Sequence, residues 1–185
     1  MLVDSELINK NIALKLMRWI DEPIDDKIPI GFGYYFKFLF RSNNSDGPSF
    51  EKFHKKCDNK GATIVVAKIS NSNKLVGGYN PLDWKGDNEW KQTTDSFLFR
   101  FELDSCRMKA KVSRISNHAS GFAICCNSDE PSFGEGPDLH FSDSINILKS
   151  KTKFYSKILS VSSLKFSYYE VFQVVRSFTE SFTQG

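Results

Sequence analysis

Glu170 is the acid whose surroundings stand out. It lies in the apolar run of residues 165–176 (KFSYYEVFQVVR), where strand alternation sets it on one face with Tyr168, Phe172 and Val174. A carboxylate left charged and unpaired on such a face is costly, and desolvation would raise its pKa into the range of a general acid. The same position suits a carboxylate that accepts hydrogen bonds from a backbone turn or pairs with an arginine. No partner acid or nucleophile accompanies it in the sequence.

Asp138 and His140 form an Asp-x-His pair, which in a strand sends both side chains to one face and toward one metal ion. Two donors are not a metal site, and His54 and His118 lie in unrelated contexts. The simpler reading is that Asp138 closes the glycine turn of PSFGEGPDLHF through an Asx-type hydrogen bond. Glu170, Asp138 and His140 around one pocket are the enzyme reading of this chain, with a reaction that the residues do not specify.

Cys125 and Cys126 are neighbours, so in a strand their side chains point to opposite faces and a bond between them would distort the backbone. With Cys57 and Cys106 they make four cysteines without a Cys-x-x-Cys spacing, which argues for reduced thiols and against a zinc knuckle or a disulfide framework. A direct antioxidant role for these thiols is a further reading. Gly134-Glu135-Gly136 lacks the Gly-Lys-Ser/Thr ending of a phosphate loop, and no Gly-x-Ser-x-Gly elbow is present. The residues therefore predict no catalytic constellation, no cofactor and no metal.

The elements that would position these side chains belong to one domain of 185 residues, long enough to bury a core without staples. Seventeen phenylalanines beside three tryptophans and six tyrosines favour a sheet-rich fold. The formal charge of +3 is slight and scattered, so composition does not ask for nucleic acid. No signal-peptide pattern or run of about 20 apolar residues appears, which predicts a soluble, cytoplasmic protein.

Residues 4–20 carry apolar positions at helical spacing, with Asp4 or Ser5 as cap. Pro23 and Pro29 bound an acidic linker, so residues 1–29 are read as a helix and linker that docks loosely or joins an upstream domain, and 30–185 as the main domain. Residues 34–40 predict a strand with Phe36, Phe38 and Phe40 inward, and a helix follows from about Ser49 with Phe50, Phe53 and Cys57 on one face. Residues 62–70 and 74–79 predict a hairpin, and 107–115, 121–126 and 139–141 further strands. Residues 142–163 read mostly as loop. Residues 165–176 read as a central strand, apolar on both faces.

The most distinctive stretch is residues 75–103, LVGGYNPLDWKGDNEWKQTTDSFLFRFEL. Gly77 and Gly78 end a strand, either taking positive φ or letting another backbone pass close by. Phe97, Phe99 and Phe101 alternate with Ser96, Leu98 and Arg100, the period of a half-buried core strand. Between them lies a polar loop holding Trp84 and Trp90, the candidate anchors of an interface, although Trp84 folded back over the sheet is an equal reading.

GGYNPLDW, DSFLF, PSFG with a following DL, and the closing E-V-F, in this order, resemble the TLDc domain family over residues 30–176. The resemblance implies an α+β, mostly β fold, a sandwich of two antiparallel sheets flanked by helices. It marks Gly77, Gly78, Tyr79, Trp84, Phe97, Phe99, Gly134, Gly136, Asp138 and Glu170 as fold-defining. The chain is also similar to fungal members in which a BTB domain precedes TLDc, which implies as an alternative a detached module of a ubiquitin-ligase adaptor. The family is associated with oxidative-stress protection and with binding to the vacuolar proton-pumping ATPase (V-ATPase). The resemblance thus implies a non-catalytic interaction domain that reaches vacuolar or endosomal membranes through a V-ATPase subunit.

Overall fold

The computed structural model describes residues 4–21, 32–42, 50–85, 89–126, 131–142 and 145–178. In chain order the elements are α1 (Lys10–Ile20), β1 (Phe32–Arg41), α2 (Phe50–Cys57), β2 (Thr63–Ile69), β3 (Lys74–Asn80), β4 (Glu89–Lys91), β5 (Phe97–Leu103) and β6 (Met108–Arg114). A 3-10 helix (Asn117–Phe122) leads to β7 (Ile124–Cys126), β8 (Ser132–Phe133), β9 (Leu139–Ser142), β10 (Ile147–Lys149) and β11 (Ser163–Phe178). The acidic linker around Pro23 and Pro29 and the turn over 43–48 fall outside the described residues.

The strands form the expected sandwich of two antiparallel sheets. One sheet runs β1-β11-β2-β3-β5-β6 and the other β4-β7-β8-β9-β10-β11, so β11 belongs to both. Its first three residues pair with β10, and from Phe166 onward it pairs with β2, with β1 on its other edge. A strand with neighbours on both edges and cores on both faces must be apolar on both faces. Tyr169 and Val171 point between the sheets while Phe172 faces outward toward α1.

Between the sheets, Val65, Val76, Leu98 and Val171 meet Phe133, Leu139, Phe141 and Leu148. Phe53 and Cys57 of α2 close one side of this core, and burial pushes the Cys57 thiol well above its ordinary value. On the outer face, Phe97, Phe99 and Phe101 line up beneath α1. Each enclosed phenylalanine contributes about 1.5–3 kcal/mol by leaving water.

α1 begins at Lys10, later than the helical spacing predicts. Asn9 is its cap, its Oδ1 accepting from the Ile12 amide at 3.0 Å. Ser5 Oγ instead accepts from the amides of Leu7 and Ile8, a local turn that competes with helix over residues 5–8. Ile12, Ala13, Leu16 and Trp19 are buried in one cluster with β5, and Trp19 stacks on Phe101 at 5.4 Å. The C-terminal end of the helix is tied to the sheet twice. Tyr34 Oη donates to Asp21 at 2.6 Å, and Arg114 donates to the carbonyl of Trp19.

Three strand expectations need correction. In β1 a bulge between Phe38 and Phe40 shifts the register against β11. Phe36 therefore faces α1 and Phe40 the inter-sheet core, while Phe38 is 41% exposed rather than inward. Gly77 and Gly78 lie inside β3, not at its end, and neither is at positive φ. Their use is close approach: a Cβ on Gly77 would sit 2.1 Å from the Val65 carbonyl oxygen, and one on Gly78 2.5 Å from the Phe133 ring. Gly121 and Phe122 belong to the 3-10 helix, so β7 starts only at Ile124.

Residues 145–163 are more ordered than a loop. β10 joins β9 to β11, and Tyr155, Ile158 and Leu159 are buried in the inter-sheet core. Tyr155 Oη donates toward Ser96 Oγ at 2.8 Å and the Ala123 carbonyl at 3.1 Å, a buried anchor for the whole segment.

Candidate functional site

The bulge in β1 also decides the setting of Glu170. It puts Arg41 directly across from Glu170, both on the α1 side of the sheet. Arg41 donates to Glu170 Oε1 through Nε at 3.0 Å and Nη2 at 2.5 Å, and Ser5 Oγ donates to Oε2. The guanidinium lies 5.7 Å from the ring centroids of both Phe38 and Tyr168, and Nη1 reaches Glu6 at 2.7 Å. Glu170 is fully enclosed by donors. The arginine-paired reading holds, and the carboxylate has a structural partner.

Asp138 does not close its own turn. Its Oδ1 accepts from three consecutive amides across the fold, those of Lys153, Phe154 and Tyr155, at 2.6, 2.9 and 3.1 Å. Gly134 has φ +72° and leaves room for this carboxylate, since a Cβ there would lie 1.9 Å from Oδ2. A Cβ on Gly136 would meet the Lys151 carbonyl at 2.3 Å. Gly134, Gly136 and Asp138 thus hold residues 151–155 against the second sheet. His140 is half-buried on β9, paired with Ser132 and Lys149. Glu170 lies beyond the first sheet, on the α1 side, so the three side chains of the enzyme reading are not brought to one pocket.

None of the four cysteines forms a disulfide. Cys126 is buried and its thiol is pushed up to about 11 by burial, while Cys125 is half-exposed and Cys106 exposed. Alternation in β7 separates the neighbouring pair, as the spacing predicts.

Trp84 folds back. It is 1% exposed, its Nε1 donating to Thr63 Oγ1 at 2.7 Å and its ring packed edge-on against Phe53 and Phe133. That removes it from any interface, because its polar edge and both its neighbours are satisfied inside the core. Tyr79 is likewise a core residue, stacked near Phe97.

Trp90 is the exposed one, at 36%, on edge strand β4. It meets Phe122, itself 40% exposed, at 5.9 Å, and Phe122 stacks on Phe154 at 5.5 Å with planes only 12° apart. Lys153 Nζ caps the row 4.8 Å from the Phe154 ring and pairs with Glu135. These rings come from three separate segments. β4 is held by Lys91, which donates to the Asp83 carbonyl at 3.0 Å and to its carboxylate at 3.2 Å. Partial burial works against the Asp83 carboxylate, yet the Lys85 amide and Lys91 outweigh it and hold its pKa below the ordinary value. Phe154 is placed by Asp138, which accepts from its amide.

Phe122 and Phe154 were not foreseen as surface anchors. Their signal was an aromatic residue set in polar surroundings, NHASGF and KSKTKFYS, but alternation and loop composition say nothing about which segments meet.

With this geometry in view, the family can be stated: the chain belongs to the TLDc domain family, whose model matches residues 2–175. That membership places it among domains associated with protein interaction and oxidative stress. The match takes in α1 as well as the sandwich. No curated protein matches the chain. Among the described residues no helix is long and apolar enough to cross a membrane.

Proposed function

We propose that this TLDc domain is a non-catalytic docking module whose contact surface is the row of Trp90, Phe122 and Phe154, and whose partner is a subunit of the V-ATPase. The observation that carries the docking surface is the row itself. Three large rings from separate segments lie together at the surface beside a lysine and a glutamate, the composition of an interface centre with a polar rim. Support for a non-catalytic role comes from Glu170 and Asp138, whose carboxylates serve Arg41 and the amides of 153–155. The V-ATPase subunit follows from the TLDc kinship alone. On this reading the domain is cytoplasmic and reaches vacuolar or endosomal membranes through that subunit.

The test is capture of V-ATPase subunits by wild-type domain, Trp90→Ala and Phe122→Ala. Truncating an aromatic anchor at an interface centre costs about 2 kcal/mol or more, roughly thirtyfold in affinity. Both variants should keep their melting temperature and lose capture. Undiminished capture by both removes this surface from the reading, and no capture by the wild-type domain removes the V-ATPase.

A further inference from the structure

A groove of about 250 Å³ opens beside the first sheet, lined by Arg100, Lys111, Lys157, Ile158, Leu159 and Ser160. Its cations come from three places in the chain. Arg100 on β5 and Lys111 on β6 are direct cross-strand partners, and Lys157 lies on the segment that crosses over them. Like charges opposite each other across an antiparallel pair destabilise it. Here Lys157 adds a third cation to the pair.

The arginine is preorganised. Its Nη1 donates to the Ile158 carbonyl at 2.9 Å and its Nη2 lies 3.3 Å from Glu102, which also answers Lys74 at 3.9 Å. Lys91, Lys109 and Lys153 are answered by Asp83, Asp104 and Glu135. Lys111 and Lys157 have no such acid among the described residues, and none of the lining residues is acidic. The result is a concave site with two unanswered ammonium groups, one fixed guanidinium and the Ser160 hydroxyl, floored by apolar Ile158 and Leu159.

We infer that this groove binds a phosphate monoester. A dianion matches the two unanswered charges, and the guanidinium and hydroxyl supply directed donors to its oxygens. A carboxylate would leave one ammonium unanswered. The site is distinct from the Trp90 row and does not depend on its partner.

The experiment is titration of the intact domain, followed by backbone amide NMR shifts, with phosphoserine, with serine as the uncharged-side-chain control, and with phosphatidylcholine vesicles with and without phosphatidylinositol monophosphate. Saturable shifts at residues 100, 111 and 157–160 with phosphoserine or with the phosphoinositide vesicles carry the proposal, and the arm that responds identifies a soluble or a lipid source. Lys111→Gln and Lys157→Gln touch no structural partner and should each weaken binding about tenfold, the loss of one charge-assisted contact. Lys149→Gln, an exposed lysine on β10, should leave it unchanged. Added salt should weaken it as well. No saturable shift with either source, the same shifts with serine, or wild-type binding by the Lys111→Gln/Lys157→Gln double variant overturns the proposal.

Discussion

Replacing Arg41 with methionine removes a guanidinium that makes two of the hydrogen bonds to a fully enclosed Glu170. Methionine keeps much of the aliphatic volume between Phe38 and Tyr168, so the loss is mainly electrostatic. Deleting one partner of a buried ion pair costs about 3–5 kcal/mol when the survivor stays buried and charged. Arg41 is itself 36% exposed, so water can follow into the vacated space, and Ser5 and the Glu6 amide still donate to the carboxylate. Both facts scale the expected cost down to about 2 kcal/mol. For a domain of this size that lowers the melting temperature by about 4–8 °C.

Urea unfolding followed by tryptophan fluorescence reads this, because Trp19 is buried in the outer core and becomes exposed on unfolding. Arg41→Lys keeps the charge but loses the planar fork, and should fall between wild type and Arg41→Met. A double-mutant cycle with Glu170→Gln isolates the pair, and its coupling should be about 1–2 kcal/mol. If Arg41→Met unfolds within about 0.5 kcal/mol of wild type, the pair is ornamental and the account of the β1 bulge as the device that answers Glu170 is wrong.

Two further outcomes follow from close packing and from burial. Gly77→Ala should be more damaging than Gly78→Ala in the same assay, because the first drives a Cβ into the Val65 strand carbonyl and the second into the Phe133 ring, for which overpacking costs about 1–3 kcal/mol; equal melting temperatures would refute the close-approach argument. Burial raises Tyr79 from 10.0 to about 12 and Cys126 from 9.0 to about 11. Folded values above unfolded ones mean a contribution that is complete below about pH 9 and fades as pH rises toward 12. Melting temperature should therefore fall across that window, and Tyr79→Phe should flatten part of the fall; an unchanged slope in Tyr79→Phe would exclude that tyrosine.

The sandwich was legible because its strands announce themselves by composition. Residues 62–70 are β-branched, Phe97, Phe99 and Phe101 alternate, and the run around Glu170 is apolar on both faces. Each pattern records burial, which acts residue by residue. The bulge in β1 was invisible for the same reason in reverse: YYFKFLF alternates perfectly, and one inserted residue changes the face of Phe40 and Arg41 without changing the string. Asp138 was misread because an acid beside glycines has a local explanation, whereas its three amides lie 15 to 17 residues away. The row of Trp90, Phe122 and Phe154 needed three segments to be brought together, and only its first member carried a signal of its own.

Because β11 is a member of both sheets, the order of synthesis matters. Phe32 of β1 finds its partner at Phe178, and the strand ladder of the second sheet joins that of the first through the opening residues of the same strand. While the chain leaves the ribosome, the β2-β3-β5-β6 meander can form from neighbours in sequence, but one edge of β2 and the strand β1 wait unpaired until the last strand emerges. Such high contact order makes for slow folding, and the waiting edges are the places where a nascent chain pairs with the wrong neighbour. A ribosome stalled before residue 163 would display two sheets without the strand that hydrogen-bonds one to the other.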